Sequence, residues 1–176
     1  TINMKNIEAA LLARERCGNN DVLVAGSIST QLPYTDELRQ RAERNTSKEI
    51  LFDAFNEMVS FYEEGKVDLI LLEMMSVPSR MLVLFECASS STLPVWCGLS
   101  AKRSRRDATI TGYSDRTIPL IDNVEKAASF GFEGMGIMHS SVDLIEDAIE
   151  LIRTKHDGLI MAYPDSGYFK SKAGCF

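Results

Sequence analysis

The chain has 176 residues, 45% hydrophobic and 25% charged, with a formal net charge of −6. That length and apolar content suit one globular domain with a real core, and the acidic balance argues against nucleic acid as a partner, which would need clustered Lys and Arg. No apolar run approaches the roughly 20 residues of a membrane span, no signal peptide opens the chain, and Cys17, Cys87, Cys97 and Cys175 include no C-x-x-C pair. A cytoplasmic protein with reduced thiols and no membrane partner is expected.

From Met4 to Cys17 the apolar residues Ile7, Ala10, Leu11 and Ala13 fall at helical spacing, and Gly18-Asn19-Asn20 supplies a stop that tolerates a left-handed cap. Asp21 to Ser27 is then a short, almost continuous apolar run, which suits a strand buried on both faces. Thr46-Ser47-Lys48-Glu49 reads as a capping box opening a helix that runs to about Glu64 and closes at Gly65. Val67 to Leu72 is the second strand, followed by a helix from Pro78, a residue suited to a first turn. Leu93 to Leu99 is the third strand. Next come a polar loop carrying the basic run Lys102 to Arg106 and a helix near Ile118 to Phe130. Phe132 to Met138 is the fourth strand, Ser140 with Asp143 caps a helix to about Thr154, and Gly158 to Tyr163 is the fifth strand.

Strand and helix alternate throughout, so the class is α/β with parallel strands and right-handed crossovers. Two architectures satisfy the pattern: an open, doubly wound parallel sheet, and consecutive units of a (β/α)8 TIM-type barrel, apparently incomplete. Both place function at the carboxyl ends of the strands. No linker or low-complexity segment divides the chain, so a single domain over residues 1–176 is expected.

Those strand ends read Gly26-Ser27, Glu73, Gly98 to Ser100, His139-Ser140, and Tyr163-Pro164-Asp165-Ser166-Gly167. Glu73 closes an apolar run, where an inward carboxylate is costly unless it meets a cation or hydrogen-bond donors. A ligand amine and a structural Lys or Arg would serve equally. No second His, Cys or Glu follows His139 at ligand spacing on its own helix, so its local sequence favours hydrogen-bonded structure over a metal site. Gly134-Met135-Gly136 lies inside a strand and is no dinucleotide fingerprint.

Taken together, Val24-Ala25-Gly26-Ser27-Ile28, Val67 to Glu73, Pro94-Val95-Trp96 and Tyr163 to Gly167 resemble, in order and spacing, the homocysteine S-methyltransferase family, from the first helix to about Phe169. The resemblance implies the barrel, with this chain supplying strands three to seven of eight and lacking the first two and the last. It implies transfer of a methyl group to the thiol of homocysteine or a related thiol amino acid, forming methionine, from a sulfonium, betaine or folate donor. It also implies a zinc ion held by cysteine thiolates that binds the substrate sulfur and lowers its pKa. Glu73 matches the glutamate that holds the substrate amino group, and Ser27, Asp165 and Ser166 fall in the matching substrate-binding segments. Met138-His139 stands where the family has an Asn-Cys pair whose cysteine binds zinc, which makes His139 the candidate metal ligand here. The eighth-strand ligands of the family have no counterpart before the chain stops, and Cys175 follows the Tyr-Pro-Asp-Ser-Gly loop too closely to be one. Because the zinc-ligand cysteines are missing, the alternatives are a non-catalytic relative that binds a small amino acid and an inactive fragment whose unpaired parallel edge would pair with another chain, giving oligomers.

Overall fold

A computed structural model describes residues 1–19, 21–30, 37, 46–104 and 106–165. Helix α1 (Ile2–Cys17) is capped by the Thr1 hydroxyl and stopped by Gly18 at φ 63°. Strand β1 (Ala25–Ser29) follows, then α2 (Lys48–Gly65), β2 (Leu69–Met75), α3 (Pro78–Ala88) and β3 (Val95–Leu99). A short hairpin, β4 (Ala101–Arg103) and β5 (Ile110–Gly112), precedes α4 (Leu120–Ala128). Strand β6 (Gly134–Ser141), a 3-10 turn (Val142–Leu144), α5 (Ile145–Arg153) and β7 (Leu159–Asp165) complete the described fold. No described helix is long and apolar enough to cross a membrane.

The five long strands pair in parallel in the order β1-β2-β3-β6-β7. This order decides between the two expected architectures. A doubly wound sheet reverses direction at a switch point and so carries helices on both faces, whereas every connection here advances the same way. Crossovers of one hand then put the described helices on one face, as in a barrel. Residues on that face are buried against the helices: Ile70, Leu72, Cys97, Leu99, Met135 and Ile137 have no exposed surface. Phe85 of α3 anchors the layer, its ring edge-on to Phe130 and Phe132 at 5.4 and 5.3 Å.

Alternation sends the other half of each strand to the opposite face. Ser27, Leu71, Trp96, Gly134 and Leu159 lie in one register across the sheet. The absence of a side chain matters at Gly98 on this face, where a Cβ would collide with the thioether of Met138. The face is bare toward its β7 edge, with Leu159 59% and Tyr163 60% exposed.

The elements differ from expectation in consistent ways. Each strand begins later than its apolar run, and all but β3 also end later, so that β1, β2, β6 and β7 extend to Ser29, Met75, Ser141 and Asp165. The leading residues serve other ends: Asp68 accepts from the Val24 amide at 2.6 Å and pairs with Arg14 at 2.5 Å, tying α1 to the amino edge. The cap of α2 is Ser47, accepting from the Ile50 amide at 3.3 Å, one residue past the predicted Thr46. Gly65 belongs to α2 and Lys66 takes the left-handed turn at φ 57°. Gly65 is instead a close-approach residue, because a Cβ there would lie 2.7 Å from Ile7 of α1. The basic run begins in a hairpin strand rather than a loop: Lys102 covers the Tyr113 ring at 3.7 Å and Arg103 pairs with Asp143 and Asp147 at 3.6 and 2.6 Å. Ser140 is no helix cap. Its buried hydroxyl donates to the Met138 carbonyl and accepts from the Ala101 amide, both at 2.9 Å, fastening the hairpin to β6.

Candidate functional site

The carboxyl edge is shaped by two bulges. Between the pairs Leu72↔Cys97 and Met75↔Leu99, β2 contributes two residues, Glu73 and Met74, against Gly98 alone. Between Met138↔Tyr163 and Ser141↔Asp165, β6 contributes His139 and Ser140 against Pro164 alone. Pro164 lacks an N–H and cannot continue the ladder, which is a physical reason for a bulge at that point. Each bulge holds a non-glycine residue at positive φ, Met74 at 54° and His139 at 45°. Such residues are uncommon and cost roughly 1–3 kcal/mol, and they concentrate where a fold must re-aim a side chain.

The effect on Glu73 is specific. Leu72 and Met75 both lie buried on the helix side, so alternation alone sends Glu73 to the opposite face, and the extra residue, Met74, returns Met75 to the core phase. Its carboxylate is half-buried and has no hydrogen-bond or ion-pair partner among the described residues. The structural Lys or Arg that could have satisfied it is not found there. Its charge is felt by Tyr62, whose hydroxyl is pushed above the ordinary tyrosine value, first by burial and then by Glu73. Tyr62 of α2 lies over Gly26 and donates to the Ser27 carbonyl at 2.6 Å.

The predicted residues fall into two groups. Ser27 is exposed on β1, in register with Leu71, while the residue beside Glu73 is Ser29. The sequence reading missed Ser29 because it ended the strand at Ser27; two more residues of ladder place Ser29 level with Glu73. At the other edge the structure brings together His139 and Asp165, whose Nδ1 and Oδ1 lie 3.4 Å apart. The Tyr163 ring stands edge-on to His139 at 5.5 Å. Ser166, Gly167 and Cys175 lie outside the described residues.

Behind the edge sits a layer of buried hydroxyls. Ser76 bonds the Ser114 hydroxyl at 2.8 Å, Thr30 approaches the Met74 carbonyl at 3.5 Å, and Ser140 holds the hairpin as described. These bonds fix the loops that carry the site.

The donor set for a metal is incomplete among the described residues: no three His, Cys, Asp or Glu side chains converge. Cys97 is enclosed on the helix face, and burial pushes its thiol far up. Cys87 lies in α3 with its thiol pushed up to about 11, chiefly by burial and then by Glu86. Cys17 ends α1, at the amino edge of the sheet and away from His139. The described residues therefore do not by themselves fit a thiolate-bound zinc centre.

Comparison with known proteins agrees with this geometry. Two crystal structures of the homocysteine methyltransferase MmuM from Escherichia coli share the fold. The apo form matches with a TM-score of 0.69 and 23% identity, over 94% of this chain and 60% of that one. The metallated form matches with a TM-score of 0.59 and 24% identity, over 93% and 55%. This chain thus spans less than two thirds of the length of either structure. No curated protein sequence matches. The family model for homocysteine S-methyltransferase matches residues 1–175, and the chain belongs to that family.

Proposed function

We propose that the protein is a homocysteine S-methyltransferase-like protein that binds homocysteine or a related thiol amino acid, with Glu73 holding the substrate ammonium group. The observation that carries this is the half-buried Glu73 carboxylate, beside a bulge at the carboxyl edge of a family sheet and unpaired among the described residues. A primary ammonium supplies the charge-assisted hydrogen bonds such a carboxylate requires. Ser27, Asp165 and Ser166 complete the substrate site in this reading, and the product of methyl transfer would be methionine. The five parallel strands are taken as the third to seventh of the family's barrel, working in the cytoplasm.

The family's metal is zinc, and His139 is its candidate ligand in this chain. The described residues bring no two further His, Cys, Asp or Glu side chains together with it. A second reading, amino-acid binding without methyl transfer, is favoured by the replacement of the family's Asn-Cys pair by Met138-His139. Self-association through the bare face near Leu159 and Tyr163 belongs to either reading, and sedimentation velocity measures it.

The reading is tested by calorimetric titration of homocysteine into the chain and into Glu73→Gln. A charge-assisted hydrogen bond contributes about 1.5–3 kcal/mol, so binding should weaken roughly ten- to hundred-fold in the variant. Equal affinity would remove Glu73 from the site and the reading with it. Zinc content with and without homocysteine, beside His139→Ala, and a methionine-formation assay then separate transferase from binder.

A further inference from the structure

The bulge in β6 does more than break the ladder. It places the His139 ring, on a backbone at φ 45°, against the carboxylate of the residue that ends β7. The contact is made at one nitrogen: Nδ1 is 3.4 Å from Asp165 Oδ1, with the two side chains 37% and 39% exposed. No described residue bonds Nε2. The Tyr163 ring, edge-on at 5.5 Å, closes one side of the imidazole. A backbone position this unfavourable for a side chain persists only where the surroundings over-determine it, and here both neighbours of the ring come from β7.

We propose that Asp165 is the positioning residue of His139: its carboxylate holds the imidazole in the Nδ1–H tautomer, and Nε2 is left to accept a hydrogen bond from the thiol of the bound substrate. The proposal rests on the reading of this edge as a thiol amino-acid site and departs from the role of Asp165 as a direct substrate contact. The chemistry is that of any histidine whose second nitrogen is presented by a carboxylate on the first. At 3.4 Å the pair is an ion-pair contact and not a formed hydrogen bond, and ligand-free sites commonly show such contacts before they tighten. The thiol is the favoured occupant because Nε2 is a lone acceptor, with no second and third ligand converging on it among the described residues. The proton stays on sulfur in this complex, so nothing but the hydrogen bond is formed.

The experiment combines nitrogen NMR of histidine-labelled protein with binding of homocysteine and methionine, which differ at sulfur as thiol and thioether. His156 is assigned by its persistence in His139→Ala. The expected result is Nδ1–H in the parent chain, loss of that bias in Asp165→Ala, and a preference for homocysteine over methionine of about three- to ten-fold. That preference should vanish in His139→Ala and in Asp165→Ala. An Nε2–H tautomer in the parent chain, or an unchanged preference in both variants, overturns the proposal. So does stoichiometric zinc bound through Nε2, which assigns the lone pair to a metal. Should Asp165→Ala fail to fold, the parent tautomer and the His139→Ala preference decide alone. Failure of the substrate reading is distinguishable, because then the parent chain binds neither amino acid and only the tautomer result bears on Asp165.

Discussion

The backbone N–H of Met74 donates to the thioether sulfur of Met138 at 3.2 Å. Met74 is the positive-φ residue of the first bulge, and Met138 immediately precedes the positive-φ residue of the second. One buried side chain, lying over Gly98 of the strand between them, therefore ties together the two irregular strand ends that carry Glu73 and His139. Replacing Met138 by Leu keeps the volume and deletes the acceptor, leaving the Met74 amide without this partner. The expected loss is about 1–3 kcal/mol, read as a lower urea midpoint at unchanged slope.

The proximity of Glu73 to Tyr62 can be measured directly. A carboxylate nearby disfavours the phenolate and so raises the tyrosine pKa, in addition to the larger effect of burial. Glu73→Gln should therefore lower the Tyr62 titration midpoint without returning it to the ordinary value. Residue-resolved NMR of labelled tyrosine reads this, and an unmoved midpoint would place the Glu73 charge elsewhere.

The helix layer should be brittle at Phe85. Its ring has no exposed surface and makes edge contacts with both Phe130 and Phe132. Phe85→Ala is expected to cost about 3–5 kcal/mol in a chemical unfolding titration. Phe85→Leu should cost clearly less, since it leaves a smaller cavity.

Acid stability has one traceable contributor at the amino edge. Glu63 accepts from the Ser91 hydroxyl at 2.7 Å and the Thr92 amide at 2.9 Å, and its carboxyl is held below the ordinary 4.5, by the Thr92 amide first and the Ser91 hydroxyl next. A depressed folded pKa means the unfolded chain binds the proton more readily. The stabilisation is thus present above the unfolded value and is lost as pH falls through the folded one. Glu63→Gln should lower stability at neutral pH and flatten the decline below about pH 4.5; parallel stability–pH curves would contradict this.

Sequence by itself determined the class, the number of long parallel strands and the family. Helical spacing from Ile7 to Ala13 and apolar runs such as Val67 to Leu72 are local properties, set by which face or faces must leave water. It also singled out Glu73, because a carboxylate at the end of such a run demands a partner wherever the strand lies. What only the tertiary structure decided was phase and adjacency. The bulges at Glu73-Met74 and His139-Ser140 exist only relative to the strands beside them. Without those neighbours, the extension of β1 to Ser29 and of β7 to Asp165 has no signature. The basic run hid a hairpin because its closing contacts, Arg103 with Asp147 and Ala101 with Ser140, span 44 and 39 positions. His139 and Asp165, 26 positions apart, meet because parallel pairing brings the ends of β6 and β7 level. Periodicity reports what one segment buries; register, which sets what meets at the edge, is fixed by the hydrogen bonds and packing of two segments at once.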